Sequence, residues 1–264
     1  MQERTVELSH GRTRYFEAGE GKPVILLHGV GFTSGGDGWF LNIGPLCERG
    51  LRVIAPDFVG WGTGDRLPIG YSFAYLVDFV REFQDALSLE KSHIVGHSMG
   101  GWIATVFAYE SPERVDKLVL VAAGGVAPRT LHSMTHFEPP TREQLKAQLQ
   151  ARIKKEGVDF EALLDQQMKI AEQPSAVEAY RLILEHMNNG LTRQRYNTVR
   201  RLPHIKAKTL IVWGDGDTTN APEMAEALHQ GIVGSSLVML RGCGHFVPTE
   251  RPDEFNRALA EFLA

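Results

Sequence analysis

Residues 96–100 read Gly-His-Ser-Met-Gly, so that one serine stands between two glycines. An apolar, strand-like run at 93–95 precedes this pentapeptide, and a helix-like segment at 99–109 follows it. A serine on a sharp strand-to-helix turn holds its hydroxyl out of the sheet, beside the first free N–H groups of the helix. Both flanks of such a turn pass close to neighbouring backbone, which favours glycine. The pattern predicts that Ser98 is a nucleophile on a tight elbow.

A serine hydroxyl is a weak nucleophile at neutral pH and needs a general base, which in turn needs an orienting carboxylate. The segment Trp-Gly-Asp-Gly-Asp, which ends at Asp217, directly follows an apolar run, and Gly-Cys-Gly-His-Phe, which contains His245, follows the next run. Because ligands meet parallel strands at their carboxyl ends, we expect His245 and Asp217 to lie beside Ser98. Asp215 is an alternative acid, two residues earlier. The protein itself thus supplies nucleophile, base and acid, and the other histidines lack metal-ligand spacing, so neither a cofactor nor a metal is predicted.

The elements that position these residues can be read from the apolar pattern. Short apolar runs without alternation are typical of strands buried on both faces of a mostly parallel sheet. Helix-like segments separate the runs, including one that Ser72 caps and one that follows Pro252. This alternation predicts an α/β fold with a doubly wound sheet. The expected strands lie at 5–8, 13–17, 24–27, 53–55, 94–95, 118–122, 210–213 and 237–240.

The alternation stops between residues 126 and 203, where the chain is polar and has no convincing strand. We interpret 126–203 as a helical cap inserted into a core domain formed by 1–125 and 204–264. The alternative is a set of ordinary crossover helices in one elongated unit. The expected cap helices lie at 141–155, 160–172, 176–187 and 192–201.

The composition limits the classes of function. The chain has 264 residues, 43% of them hydrophobic, and a formal net charge of −4, which allows a large core but gives no basic surface for nucleic acid. Its two cysteines, Cys47 and Cys243, make no disulfide framework, and its start has no apolar secretory segment. No apolar run approaches the ~20 residues that cross a bilayer. We therefore expect a cytoplasmic protein that acts on a small molecule, without nucleic-acid or membrane partners; a homodimer is compatible with the sequence, which leaves the oligomeric state open.

Further motifs make the chain resemble the α/β-hydrolase superfamily over nearly its whole length outside the predicted cap. Each motif follows a suitable strand, and their order matches that superfamily. Some relatives place the acid after the strand that follows the elbow, but residues 121–125 contain no carboxylate, which favours the loop of Asp217. The motifs are His-Gly-Val-Gly from His28, the loop 56–65, Trp-Gly-x-x-Asp ending at Asp217, and Gly-x-Gly-His ending at His245.

The resemblance implies the α/β-hydrolase fold and a role for each residue. Ser98 attacks an acyl carbonyl, His245 transfers the proton, and Asp217 orients the imidazole. The backbone N–H groups of Val30 and Met99 would hold the tetrahedral oxyanion.

Within the superfamily the chain is most similar to meta-cleavage-product hydrolases, which split a carbon–carbon bond in vinylogous keto acids. The similarity fails at three positions. A cap arginine of that group is replaced by Gln167, an asparagine before the nucleophile by His97, and a tryptophan after the catalytic histidine by Phe246. The segments that carry the similarity lie at 42–46, 53–57, 98–102 and 253–257.

These departures favour hydrolysis of a carboxylic ester or lactone through an acyl-enzyme on Ser98. Carbon–carbon bond hydrolysis of a 2-hydroxy-6-oxo-dienoate is the first alternative, and a non-catalytic, receptor-like ligand-binding protein is the second. The residues expected in the substrate pocket are Gly29, Trp39, His97, Gln167 and Phe246.

Four arginines near the end of the predicted cap allow two interpretations. They favour a solvated face of the cap, and the alternative is a clamp for a substrate carboxylate. They are Arg193, Arg195, Arg200 and Arg201.

Overall fold

The computed structural model describes residues 1–67, 70–126 and 137–264, in which eight strands form one sheet. The strands are β1 (Gln2–Leu8), β2 (Gly11–Ala18), β3 (Lys22–Leu27), β4 (Leu51–Pro56), β5 (Ser92–His97), β6 (Val115–Val121), β7 (Lys208–Gly214) and β8 (Ser236–Leu240). Their order is β1-β2-β4-β3-β5-β6-β7-β8. β2 pairs antiparallel with β1 and β4, and the other pairs are parallel. The predicted α/β fold with a mostly parallel sheet is confirmed.

The central strands are buried on both faces, as the uninterrupted apolar runs predicted. In β3, Val24 and Leu26 belong to one hydrophobic cluster, while Ile25 and Leu27 belong to another. Successive side chains of a strand point to opposite faces, so the two clusters lie on the two sides of the sheet. A strand in this position has no solvent-facing side and therefore no alternation of polar residues.

Helices cover both faces of the sheet. Ser72 accepts a hydrogen bond from the Tyr75 N–H at 3.1 Å and caps the second helix, as predicted. Among the described residues, none of the helices has both the length and the hydropathy that a bilayer crossing demands. The helices are α1 (Phe40–Cys47), α2 (Phe73–Ala86), α3 (Met99–Glu110), α4 (Arg142–Arg152), α5 (Phe160–Ala171), α6 (Ala176–Asn188), α7 (Gly190–Tyr196), α8 (Glu223–Gly231), α9 (Val247–Glu250) and α10 (Pro252–Leu263).

The chain between β6 and β7 carries α4 to α7, and its described residues form no strand. This segment corresponds to the predicted cap, of which residues 127–136 lie outside the described part. Thr141 and Gln144 form a capping box that begins α4. A 3₁₀ turn, Val199–His204, crosses the expected boundary after residue 203. The division into two domains stays a prediction.

One predicted helix is instead two shorter elements. The expected helix at 192–201 ends with α7, and the 3₁₀ turn Val199–His204 follows. The Asn197 side chain donates to the Val126 carbonyl at 3.0 Å and accepts the N–H of the first residue of the turn at 3.0 Å. These two side-chain bonds, one to the chain after β6 and one within the turn, take the place of helical hydrogen bonds. The helical pattern of the sequence does not indicate a hydrogen bond to a residue as distant as Val126.

Candidate active site

Ser98 lies at the junction of β5 and α3, where the sequence predicted the elbow. Its φ of 54° and ψ of −113° are strained for a residue with a side chain. The Ser98 carbonyl accepts hydrogen bonds from the N–H groups of Trp102 and Gly124, which hold the turn in place. A Cβ at Gly100 would stand 2.3 Å from the Leu27 carbonyl oxygen, so the predicted need for glycine has a steric cause.

Ser98, His245 and Asp217 form one hydrogen-bonded array. Nε2 of His245 lies 3.0 Å from Ser98 Oγ, and its Nδ1 lies 2.8 Å from Asp217 Oδ2. An ionised carboxylate can only accept, so Nδ1 carries the proton and Nε2 is free to accept the proton of the serine hydroxyl. His245 and Asp217 are both buried, which strengthens the hydrogen bond between them. The structure thus brings together the three residues that the sequence placed after different strands.

The loop after β7 offers two carboxylates, and Asp217 is the one on the imidazole. Its Oδ1 accepts the N–H groups of Thr219 and Asn220, both at 2.8 Å, which fixes the carboxylate plane. Asp215 is exposed and accepts the N–H of Gly242 at 2.7 Å. Asp215 therefore tethers the loop after β8 and does not orient the base.

The predicted oxyanion donors lie on two sides of the Ser98 hydroxyl. Val30 belongs to the loop after β3, and Met99 is the first residue of α3, where a helix leaves its N–H groups free. A Cβ at Gly29 would lie 3.2 Å from the Ser98 Cβ, so the loop of Val30 runs directly beside the serine. Neither N–H has an acceptor among the described residues. Two unpaired donors in these positions suit a developing negative charge.

Two buried histidines support the array as hydrogen-bond donors. Nε2 of His97 donates to the His245 carbonyl at 2.9 Å. Nδ1 of His28 donates to the Gly29 carbonyl at 2.7 Å, and its Nε2 accepts the N–H of Phe58 at 2.9 Å. Burial lowers the pKa of His97 to about 3 and the pKa of His28 to about 4. Both rings are therefore neutral at pH 7.

Because His97 is neutral in the folded protein, we expect the protein to lose stability in mild acid. Its pKa is about 3 in the folded protein and ~6.5 in the unfolded chain, so the unfolded state binds more protons between these values and stability falls as the pH is lowered. From about pH 7 to about pH 5, His97 alone lowers the free energy of unfolding by ~2 kcal/mol. Urea denaturation of wild type and His97→Asn at both pH values measures the change in the free energy of unfolding between pH 7 and pH 5. We expect this change to be ~2 kcal/mol smaller in the variant.

A matched control uses the exposed His229. We expect His229→Asn to have a free energy of unfolding close to that of wild type at both pH values, as for a surface substitution. An unchanged pH dependence in His97→Asn would show that His97 takes up its proton in the folded protein.

The described residues line a cavity of about 1070 Å³ that extends from Ser98 to the helices α4–α7. All five residues predicted for the pocket belong to this lining: Gly29, Trp39, His97, Gln167 and Phe246. Trp39 also stacks on Phe255 at 6.2 Å, so its ring supports the cavity wall from within the core. Gln167 belongs to α5. The predicted pocket residues therefore share one space with the serine hydroxyl.

Sequence reasoning missed one arginine of this cavity and misplaced another. Arg152, at the end of α4, lines the cavity and went unnoticed, although it follows Leu145 and Leu149 at helical spacing on the buried face. Arg193 was expected on a solvated face and is instead buried in the cavity wall. Arg201 is likewise buried. The prediction of a solvated face is wrong for Arg193 and Arg201, because both side chains pack on rings of α3, Arg193 on Trp102 and Arg201 on Tyr109. Arg195 and Arg200 are exposed as expected.

The chemistry available to the site follows from these groups. It contains an activated hydroxyl, an acid–base imidazole, two free N–H donors and two guanidinium groups around one cavity. Within the described ranges, no three His, Cys, Asp or Glu side chains are placed to hold a metal ion. Such an arrangement can transfer an acyl group to water.

Comparison with known proteins extends over nearly the whole chain. The family described by the alpha/beta hydrolase fold matches residues 22–252. A 2-hydroxy-6-oxo-6-phenylhexa-2,4-dienoate hydrolase of Comamonas testosteroni is 35% identical over 271 residues, which cover 97% of this chain and 93% of that protein. A 2-hydroxy-6-oxononadienedioate/2-hydroxy-6-oxononatrienedioate hydrolase of Escherichia coli is 33% identical and covers 96% of this chain and 91% of its own length. The solved structure of a meta-cleavage product hydrolase from Pseudomonas fluorescens IP01 has a TM-score of 0.82 and 30% identity, covering 98% and 97% of the two chains.

These matches agree with the resemblance carried by the motifs. The named relatives are enzymes, which favours an enzyme over the receptor-like alternative. The chain belongs to the alpha/beta hydrolase fold family and is a hydrolase.

Proposed function

We propose that this hydrolase cleaves a carbon–carbon bond in a 2-hydroxy-6-oxo-dienoate, the substrate class named for its relatives, through an acyl-enzyme on Ser98. The observation that carries the proposal is Arg152, a cavity guanidinium without an ion pair or hydrogen bond to any described residue. Its Cζ lies 3.7 Å from the centre of the Phe246 ring, and Phe246 directly follows His245. A substrate carboxylate would supply the missing partner.

The residues of the array carry the acyl transfer. Ser98 Oγ attacks the C6 ketone while His245 takes its proton and Asp217 holds the imidazole in the required tautomer. The N–H groups of Val30 and Met99 donate to the oxyanion of the tetrahedral intermediate. After the bond breaks, His245 activates water, which releases a carboxylic acid and restores the serine hydroxyl.

Breaking a carbon–carbon bond requires an electron sink, because a simple carbanion is a poor leaving group. In the 2-keto tautomer of the dienoate, the hydroxyl proton has moved to C5 and the C2 carbonyl is conjugated with the C3–C4 double bond. When the C5–C6 bond breaks, its electron pair passes through that double bond to the C2 oxygen. This oxygen takes the proton that His245 holds, so one water and one dienoate give 2-hydroxypenta-2,4-dienoate and a carboxylic acid.

Arg152 lies on the side where this leaving group must be. His245 hands its proton to the leaving group, and Arg152 stacks on the ring that follows His245 in the chain. Its guanidinium can pair with the dienoate carboxylate beside the C2 oxygen, where negative charge develops. Burial lowers the pKa of Arg152, and an anionic substrate offsets that cost.

Hydrolysis of a carboxylic ester or lactone is the second candidate, and Gln167 favours it. The resemblance leads us to expect an arginine at this position, yet a neutral side chain lines the cavity there. An ester needs the same acyl-enzyme but no electron sink, because its leaving group is an oxygen atom. However, α5, which carries Gln167, packs against α4, which carries Arg152, so the two helices together still present a guanidinium.

A comparison of two substrates tests the proposal. We expect kcat/KM to be larger for 2-hydroxy-6-oxo-6-phenylhexa-2,4-dienoate than for p-nitrophenyl butyrate. Arg152→Met keeps the aliphatic stem on Phe246 but removes the charge, so it lowers kcat/KM on the dienoate by about 10- to 100-fold, mainly through KM. It lowers the value for the neutral ester by a smaller factor. Steady-state kinetics on purified protein measure both.

The matched control is Arg142→Met on the same helix. The Arg142 side chain is half-buried and pairs with Glu161 and Asp165, so the substitution leaves kcat/KM on both substrates unaffected. A larger kcat/KM for the ester would reverse the ranking of the two functions. An equal loss on both substrates in Arg152→Met would refute the role of Arg152.

A further inference from the structure

Arg193 lines the cavity from a different wall than Arg152. It belongs to α7, and its Cζ lies 5.4 Å from the centre of the Trp102 ring on α3. Arg193 is 8% exposed, and its guanidinium has no hydrogen bond or ion pair with any described residue. Its Nε is fully buried and unpartnered. The stacking on Trp102 is the single favourable contact of this charge within the described ranges.

Other buried arginines of the chain have polar partners. Arg14, 2% exposed, donates from Nε to Asp57 at 2.7 Å. Arg201, 7% exposed, donates to the Asn197 carbonyl at 2.7 Å. Removing a guanidinium from water without such a partner costs several kcal/mol. Burial accordingly lowers the pKa of Arg193, and no carboxylate of the described residues opposes this effect.

The tetrahedral intermediate on Ser98 extends in three directions from the serine oxygen. Its leaving group faces His245, and its oxyanion faces the N–H groups of Val30 and Met99. The acyl chain takes the remaining direction. The ring on which Arg193 stacks belongs to Trp102, which lies one helical turn after the serine on α3.

We propose that Arg193 forms a second anion subsite, which binds a carboxylate at the far end of the acyl chain. The proposal rests on the proposed function for the direction of the leaving group. It deepens that function by assigning a residue of this chain to the second carboxylate of a dicarboxylate, such as the dienedioate named for the Escherichia coli relative. Trp102, Tyr180 and Met187 also line the cavity and suit an apolar stem between the acyl carbon and its terminal carboxylate.

Two pairs of substrates test the subsite. The ester pair is mono-p-nitrophenyl glutarate and p-nitrophenyl valerate, which differ in a terminal carboxylate on the acyl chain. The dienoate pair carries 2-carboxyethyl or propyl at C6. Wild type prefers the carboxylated member of each pair by about 10- to 100-fold in kcat/KM, mainly through KM, as a charge-assisted pair implies. Arg193→Met removes this preference.

Arg195→Met is the control, since Arg195 lies two residues away on α7 and is exposed. It keeps the preference of wild type. We also expect glutarate to inhibit wild type competitively and more strongly than valerate does. This measurement does not depend on how Arg193→Met folds. Equal use of both members by wild type, or a preference that survives in Arg193→Met, would overturn the subsite.

The two proposals fail in different ways. An Arg193-dependent preference within the ester pair, with neither dienoate cleaved, supports the subsite and rejects the carbon–carbon hydrolase. Cleavage of the dienoates without any preference for the second carboxylate supports the hydrolase and rejects the subsite.

Discussion

Ser98→Ala lowers kcat on any substrate of this enzyme by about 10³- to 10⁶-fold, because the acyl-enzyme cannot form. The hydroxyl lies 3.0 Å from His245 Nε2 on a turn that admits one direction for the side chain. Alanine fits the same turn, since it removes an oxygen atom and adds nothing. The fold is therefore unchanged, and the loss reports the chemical step. Steady-state and single-turnover kinetics separate this loss from a change in binding.

Covalent labelling gives an independent readout for Ser98. A fluorophosphonate reacts with an activated serine, so wild type gains one adduct that mass spectrometry maps to Ser98, and Ser98→Ala gains none. Ser9→Ala, which changes an exposed serine bonded to Glu82, keeps both activity and labelling. Activity of Ser98→Ala within about tenfold of wild type would exclude an acyl-enzyme at this position.

Asp217→Asn is expected to lower kcat by about 10⁴-fold, through the tautomer of His245. The carboxylate accepts from Nδ1 of His245 at 2.8 Å, while its other oxygen accepts two backbone N–H groups. An asparagine keeps its carbonyl on those two donors and turns its NH₂ towards Nδ1. Nδ1 must then accept, so the ring proton moves to Nε2, which can no longer take the proton of Ser98. Kinetics at several pH values measure the effect.

The neighbouring carboxylate provides the control for Asp217. Asp215→Asn changes an exposed side chain that holds the N–H of Gly242, and an asparagine oxygen can still accept that bond. We expect activity within about threefold of wild type, as for a surface substitution. The opposite ranking of the two variants would place the acid at Asp215 and refute the assignment.

We propose that the two cavity arginines give the site a selectivity that the array of Ser98, His245 and Asp217 alone lacks. A serine, a histidine and an aspartate hydrolyse many acyl compounds, so the choice of substrate rests on the walls. Arg152 stacks on Phe246 and Arg193 stacks on Trp102, and neither guanidinium forms a hydrogen bond or an ion pair with a described residue. Burial of the two guanidinium groups costs desolvation free energy, and an anionic substrate offsets this cost when it binds. The same two charges would therefore favour anionic over neutral substrates.

Much of the site could be predicted from the sequence because its signals are local. Gly96 marks the elbow through a steric contact with the Gly100 backbone, within a few residues of Ser98. Asp217 and His245 each follow an apolar run directly, and parallel strands bring such loops to one edge of the sheet. The helices of 126–203 follow from periodicity and caps such as Thr141, although their bounds differ.

What the tertiary structure alone decided concerns residues whose surroundings come from distant parts of the chain. The sequence determined the sheet, the order of the array and the helical nature of the segment before β7, since apolar period and glycine sterics act over short distances. It could not place Arg193, because the ring on which this side chain packs belongs to Trp102 on α3, a distant part of the chain. Nor could it pair Arg152 with Phe246, a contact between α4 and the loop after β8. Burial and charge pairing are properties of the packed chain, and the proposed selection of anionic substrates depends on both.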